Sequence, residues 1–271
     1  MNFINKLKIK KIFIASGILF AISCSNNEKQ TVTTLNQLVL EENFDVNGAP
    51  NPKLWTNNIG TGNNGWGNDE LEYYTNRPEN IKVEDGTLKI TAIKESFMGA
   101  GYTSGRIFTK GNFEQKYGRY EARIKMPLGK GLWPAFWMLG ANSEKVVWPQ
   151  CGEIDVMEYL GSKPTSIFGT VHGPGYSGGE AITKNFNLAN DRFDTDFHIF
   201  GIEWGENFIN FYVDKVLYNQ ITPKDVKGEW VFNQPFYIIL NLAVGGSFPG
   251  KPNEETIFPQ TMTVDYVKVY K

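Results

Sequence analysis

Three acids stand close together in the run Cys151-Gly152-Glu153-Ile154-Asp155-Val156-Met157-Glu158-Tyr159. Carboxyl groups crowded in one place cannot all ionise freely. At least one pKa rises, so one acid can hold a proton while another stays a base or nucleophile. Cleavage of a glycosidic bond needs that division of roles. The run has β character, and side chains on a strand alternate faces. Glu153 and Asp155 therefore share a face, whereas Glu158, five positions from Glu153, falls on the other one. One extra residue, a β-bulge near Val156 or Met157, returns Glu158 to the face of Glu153. The glutamates then stand four strand positions apart, roughly 13 Å of backbone at about 3.3 Å per residue. Inward-leaning side chains can close this to the ~5–5.5 Å of a retaining glycosidase or hold the about 6.5–9.5 Å of an inverting one, and the spacing is compatible with both. Asp155, between them, would orient Glu153 and help keep Glu158 protonated. Two rival readings are a solvated acidic strand and a Ca²⁺ or Zn²⁺ site completed by His172. The apolar Ile154, Val156, Met157 and Tyr159 and the lack of a second nearby histidine weigh against them.

Residues able to hold a sugar lie on either side of this run. An indole matches the apolar C–H face of a pyranose, and polar groups at the rim read the hydroxyls. Trp133 and Trp137 are four apart, so a strand presents both on one side, with Pro134, Ala135 and Phe136 expected to face elsewhere. Trp148 immediately precedes the acids. Trp66 sits in a Gly/Asn-rich loop that builds no core and is expected to be exposed. Asn68, Glu70 and Arg106 are hydrogen-bonding candidates. His172 follows the acidic run closely enough to reach Glu158 or a leaving sugar. Trp55, Trp204, Trp230 and His198 read as structural, and Cys151 as a small buried filler with no histidine beside it to activate it.

Positioning these groups falls to strands. Ile81–Val83 and Thr87–Ala92 flank the turn Glu84-Asp85-Gly86, a hairpin signal. Tyr117–Met126 stops at Pro127. His198–Trp204 and Phe208–Val213 form a further pair, and Asp214-Lys215 turns the second back into Val216–Tyr218. Phe236–Val244 is the most apolar run and a central strand, and Thr263–Tyr270 closes the domain. No segment keeps a helical period over three turns. The pattern predicts an all-β sandwich of the jelly-roll kind, two stacked antiparallel sheets in one domain over residues 38–271.

The chain has 271 residues and a net charge of −2; without the four lysines Lys6, Lys8, Lys10 and Lys11 the charge is −6. That balance is poor for nucleic acid, whose phosphates need clustered Lys and Arg, and compatible with a neutral glycan. Those lysines precede an apolar run, Ile12–Ile22, too short to span a bilayer. Ala21-Ile22-Ser23-Cys24 then reads as a lipoprotein processing site. Residues 1–23 are expected to be a signal peptide, Cys24 the lipidated residue, and 24–37 a flexible tether. The expected location is the outer membrane or cell surface of a bacterium, through a lipid anchor, and the expected state is a monomer. Cys151 is the only other cysteine, so no disulfide would support the fold.

The motif Glu-Ile-Asp-Val-Met-Glu resembles the active-site signature of glycoside hydrolase family 16, in the bulged form of its laminarinase (endo-β-1,3-glucanase) branch. Gly65–Thr75, Tyr102–Ile107, Gly131–Gly140, Asn241–Gly246 and Val264–Tyr270 resemble the same branch, in order, over essentially residues 38–271. The resemblance implies a substrate groove on the concave face of a jelly roll. It implies Glu153 as nucleophile, Asp155 as assisting acid, Glu158 as general acid/base, and retaining hydrolysis of β-1,3-glucan with no cofactor in catalysis. It also implies a structural Ca²⁺ at Asn43, Gly86 and Asp265, of which only Asp265 offers a carboxylate; Asn43 stands where Glu is commoner. Within the family, mixed-linkage β-1,3-1,4-glucan or an algal galactan is the alternative substrate. Outside the enzymes, the alternative is an inactive glycan-binding lipoprotein, against which both glutamates speak.

Overall fold

Alternating apolar and polar residues build two sheets. The computed structural model describes residues 33–271; Cys24 and the expected signal peptide lie outside them. One sheet has seven strands in the order Ile182–Asn187, Ser166–His172, Glu153–Tyr159, Leu132–Gly140, Phe236–Val244, Arg106–Phe108 and Thr56–Asn57. The other has ten, with Gly118–Lys125 and Gln260–Tyr270 at its centre. Side chains from the two inner faces form one core. Phe136, Met138, Ile154, Met157 and Val171 come from the first sheet; Tyr120, Ile124, Phe200, Ile202 and Trp204 come from the second. Full burial of each such side chain contributes about 1.5–3 kcal/mol. This is the jelly-roll sandwich that the strand pattern predicts.

All nine residues of Phe236–Val244 are buried, because this strand is flanked on both sides and covered by the second sheet. The hairpin at Asp85-Gly86 has both residues at positive φ, 54° and 69°, the turn whose twist matches its strands. Two local features depart from expectation. Glu72–Tyr74 pairs in parallel with Ala100–Ser104, the one parallel pair among the described strands. The packed domain also begins before Leu38. Glu203 is 3% exposed and accepts hydrogen bonds from the backbone N–H groups of Thr34 and Leu35, at 2.6 and 3.2 Å. Gln37 pairs with Lys271 through two backbone bonds. Residues 34–37 are therefore held by the domain and are not free tether, since a buried carboxylate needs these donors.

Candidate active site

The acidic strand carries the bulge that its parity requires. From Asp155 to Glu158 it advances three residues while its partner advances two, Thr170 to Phe168. On its other side Ile154 to Met157 is matched by Met138 to Phe136. The two windows overlap around Val156. Before the bulge Ile154 points to the core, and after it Met157 does. Glu153, Asp155 and Glu158 consequently line one cleft of about 730 Å³ on the open face of the seven-stranded sheet, within the size range of a ligand site.

Each glutamate is held by an indole. Trp148 Nε1 donates to Glu153 Oε2 at 2.9 Å, and Trp133 Nε1 donates to Glu158 Oε1 at 3.1 Å. Thr170 Oγ1 donates to the other oxygen of Glu158 at 3.2 Å. His172 stands with Nε2 3.2 Å from Asp155 Oδ2 and 3.7 Å from Glu153 Oε1, so it faces the Glu153–Asp155 pair and not Glu158. Its Nδ1 accepts the Gly178 backbone N–H at 3.1 Å, which leaves the neutral ring's proton on Nε2, toward the acids. Nε2 ligation to a metal needs the opposite tautomer. The cluster Glu153, Asp155 and His172 has metal-like spacing, but this backbone donor favours its use as a proton device.

Burial is the main force on all three acids. It pushes Glu153 up to about 8, with the charge of Asp155 adding to it. It pushes Glu158 up to about 7, where the charge of Glu153 adds, and His172, Thr170 and Trp133 pull the other way. Asp155 is driven well above the usual carboxylate range by burial and then by Glu158. Glu153 and Asp155 both face His172, and the charge of Asp155 raises Glu153, so the two do not ionise freely together. Asp155 is the deeper of the pair. Its side chain is 6% exposed against 17% for Glu153, and the Trp148 N–H stabilises a Glu153 anion. The three acids therefore resist full ionisation, and Glu158 is able to carry a proton near neutrality.

The remaining predicted residues also meet in the cleft, several in unforeseen roles. Trp133 and Trp137 share its face, and Ala135 and Leu139 lie on that face too, while Pro134, Phe136 and Met138 point away. The expectation that Ala135 faces elsewhere was wrong: a period of two admits no other placement. Arg106 does not reach out as an isolated fork. Its guanidinium lies 4.6 Å from the Trp66 ring and 4.9 Å from the Trp137 ring, a cation–π sandwich. Trp66 is accordingly half-buried in the cleft wall, on a loop where Asn64, Trp66 and Asp69 all have positive φ. Asn68 Nδ2 donates to Glu70 Oε1 at 3.1 Å. Cys151 is buried, and its thiol is pushed up to about 11 by that burial. His198 pairs with Asp214 at 3.0 Å on the other sheet.

Among the cleft residues that escaped the sequence reading are Phe168, Thr170, Thr183, Asn241 and Phe248. Phe168 and Thr170 precede His172 by four and two positions, so strand parity could have found them. Asn241 is an isolated polar residue in the most apolar strand, also a usable signal. Phe248 gives none; it becomes part of the site by meeting Trp133 and Phe168 edge-on, at 5.5 and 5.4 Å.

Of the calcium donors, Asp265 has Oδ2 2.7 Å from Arg123 Nη1. The one carboxylate of the set is already neutralised by a guanidinium, so these residues do not fit a tightly held divalent ion.

Residues 68–268 match the family described as glycosyl hydrolases family 16. The chain belongs to glycoside hydrolase family 16. This family-16 chain is similar to the beta-glucanase of Rhodothermus marinus, 37% identical over 279 residues covering 98% of this chain and 97% of the relative. It is 39% identical to the glucan endo-1,3-beta-glucosidase of Cryptopygus antarcticus, over 85% of this chain and 91% of that one. Among solved structures it resembles the laminarinase catalytic domain of Thermotoga maritima MSB8, at TM-score 0.82 and 50% identity, over 87% of this chain and 98% of the other.

Proposed function

We propose that this family-16 enzyme hydrolyses internal β-1,3-glucosidic bonds of laminarin-type glucans by double displacement. One observation carries the mechanism: the bulge at Val156 brings Glu153 and Glu158 to one wall, each tied to an indole N–H. Glu153, ionised, attacks the anomeric carbon, and Glu158, protonated, gives its proton to the leaving oxygen. The displaced sugar departs, and Glu158, now ionised, takes a proton from the water that releases the glycosyl-enzyme. Asp155, buried beside Glu153, resists ionising and so limits the charge in the cleft. The aromatic walls suit sugar faces, and the relatives described as laminarinase and endo-1,3-beta-glucosidase point to the β-1,3 linkage.

Reducing-sugar release from laminarin, lichenan and agarose in parallel tests the substrate. Laminarin should be preferred, and NMR of the first product should show retained β configuration. Glu153→Gln and Glu158→Gln should each lower kcat by at least about 10²–10⁴-fold. No release by the unmodified protein on any β-glucan would overturn the enzyme reading in favour of a binding protein.

We also infer export as a lipoprotein anchored at Cys24, supported by the lysine-led apolar run before it. Loss of membrane association in Cys24→Ser cells is the test.

A further inference from the structure

Beneath the cleft runs a chain of hydrogen bonds that the reaction itself does not use. Trp137 Nε1 donates to Asn241 Oδ1 at 2.7 Å. Asn241 Nδ2 donates to the Tyr74 hydroxyl at 3.1 Å. Tyr74 in turn donates to Glu70 Oε2 at 3.0 Å, and the other oxygen of Glu70 accepts from Asn68. Tyr74 is 0% exposed, so it touches no sugar. Trp137, Glu70 and Asn68 line the cleft.

The Tyr74 hydroxyl is the single link between the two ends of this chain. It accepts from one side and donates to the other, so the direction of every bond is fixed. Trp137 has no acceptor capacity, which forces Asn241 to present its oxygen to the indole and its amide N–H to Tyr74. Tyr74 must then spend its own proton on Glu70. A hydroxyl used in both directions in a dry site holds both neighbours in place. Tyr74 is itself anchored: Trp66 packs on its ring at 5.6 Å, and its phenol stays neutral because burial, then Glu70, drives its pKa far up. On its other flank Glu72, fully buried, accepts the Val244 N–H at 2.7 Å and ties the strand Glu72–Tyr74 to Phe236–Val244.

We propose that Tyr74 is a positioning residue that sets Trp137 and Glu70, two groups facing the glycan, as one unit. The proposal rests on the glucan-hydrolase reading given above and adds to it a residue that sets sugar affinity without contacting sugar. Glu70 and Trp137 share no hydrogen bond, so the hydrogen-bonded route between them runs through Asn241 and Tyr74, beside the stacking of Trp137, Arg106, Trp66 and Tyr74.

The test is steady-state kinetics on laminarin with Tyr74→Phe, Trp137→Phe and their double variant, each checked for an intact melt. Tyr74→Phe should raise KM by about tenfold, the equivalent of one well-made hydrogen bond in binding, and change kcat much less. Trp137→Phe keeps a ring but loses the N–H and should act in the same way. The double variant should resemble either single one, because both cut the same chain. Unchanged KM in Tyr74→Phe, or effects that multiply in the double variant, would overturn the proposal. If Tyr74→Phe does not fold, Glu70→Gln with Trp137→Phe carries the test: the two ends should couple by more than about twofold, and strict multiplication refutes the link. An unmodified enzyme inactive on laminarin but active on another β-glucan would defeat the substrate reading alone, and the same cycle would then be run on that glucan.

Discussion

Replacing Glu158 by Gln should stabilise the protein while removing its activity, and the gain should depend on pH. Glu158 has an ordinary carboxylate pKa of 4.5 in the unfolded chain and about 7 in the fold. Between those values the native state binds more protons than the unfolded one, so stability falls as pH rises through that window. Below about pH 4.5 the group costs nothing. Above about pH 7 the penalty is complete, and the shift corresponds to about 2–3 kcal/mol at about 1.4 kcal/mol per pKa unit, allowing for partial exposure. Gln has nearly the same shape. Its oxygen can still accept from Trp133 Nε1, and its amide can donate to Thr170, whose hydroxyl has Thr183 as a second partner at 3.1 Å. The hydrogen bonds therefore largely survive, and the electrostatic cost does not. For a domain of this size about 2–4 °C of Tm accompanies each kcal/mol. The variant should melt about 4–12 °C above the unmodified protein at pH 8.5 and within about 1 °C of it at pH 4.5. Differential scanning calorimetry across that range, with urea denaturation at both ends, makes the comparison. A Gln variant that melts at or below the unmodified protein at pH 8.5 would refute the argument that burial drives the Glu158 shift.

Trp148→Phe removes the N–H that favours the Glu153 anion, so the acidic limb of the kcat/KM profile should move to higher pH, as a pH-rate series would show. Deleting Val156 should close the bulge into a regular strand with both glutamates still on one face, since the residue pairs on either side of it already match a regular ladder. Such a variant should fold at a cost of about 1.5–3 kcal/mol for the lost valine burial and retain measurable glucanase activity, whereas an alanine inserted after Val156 should abolish it.

Much of the strand pattern, the Asp85-Gly86 turn and the candidate acids were legible along the chain, because each rests on local periodicity or local composition. Parity at Glu153 and Glu158 even demanded the bulge, and it is there. Groups brought in from distant segments were less legible. Arg106 reads as a free donor in sequence, and only the packing of Trp66 and Trp137 against it makes it a stacked cation. His172 lies near the acids in sequence, but the neighbouring strand register places it on Asp155 and not on Glu158. Thr34 and Leu35 look like tether until Glu203 is brought to meet them.

The pair of glutamates, their spacing and the need for an irregular strand between them follow from the linear chain, since side-chain alternation is a property of the backbone alone. Packing sets how readily each of the three acids ionises. Asp155 is the deepest and resists ionising, and the Trp148 indole N–H, five residues before Glu153, favours the Glu153 anion. Burial and the direction of a donated hydrogen bond exist only once the sheets have met.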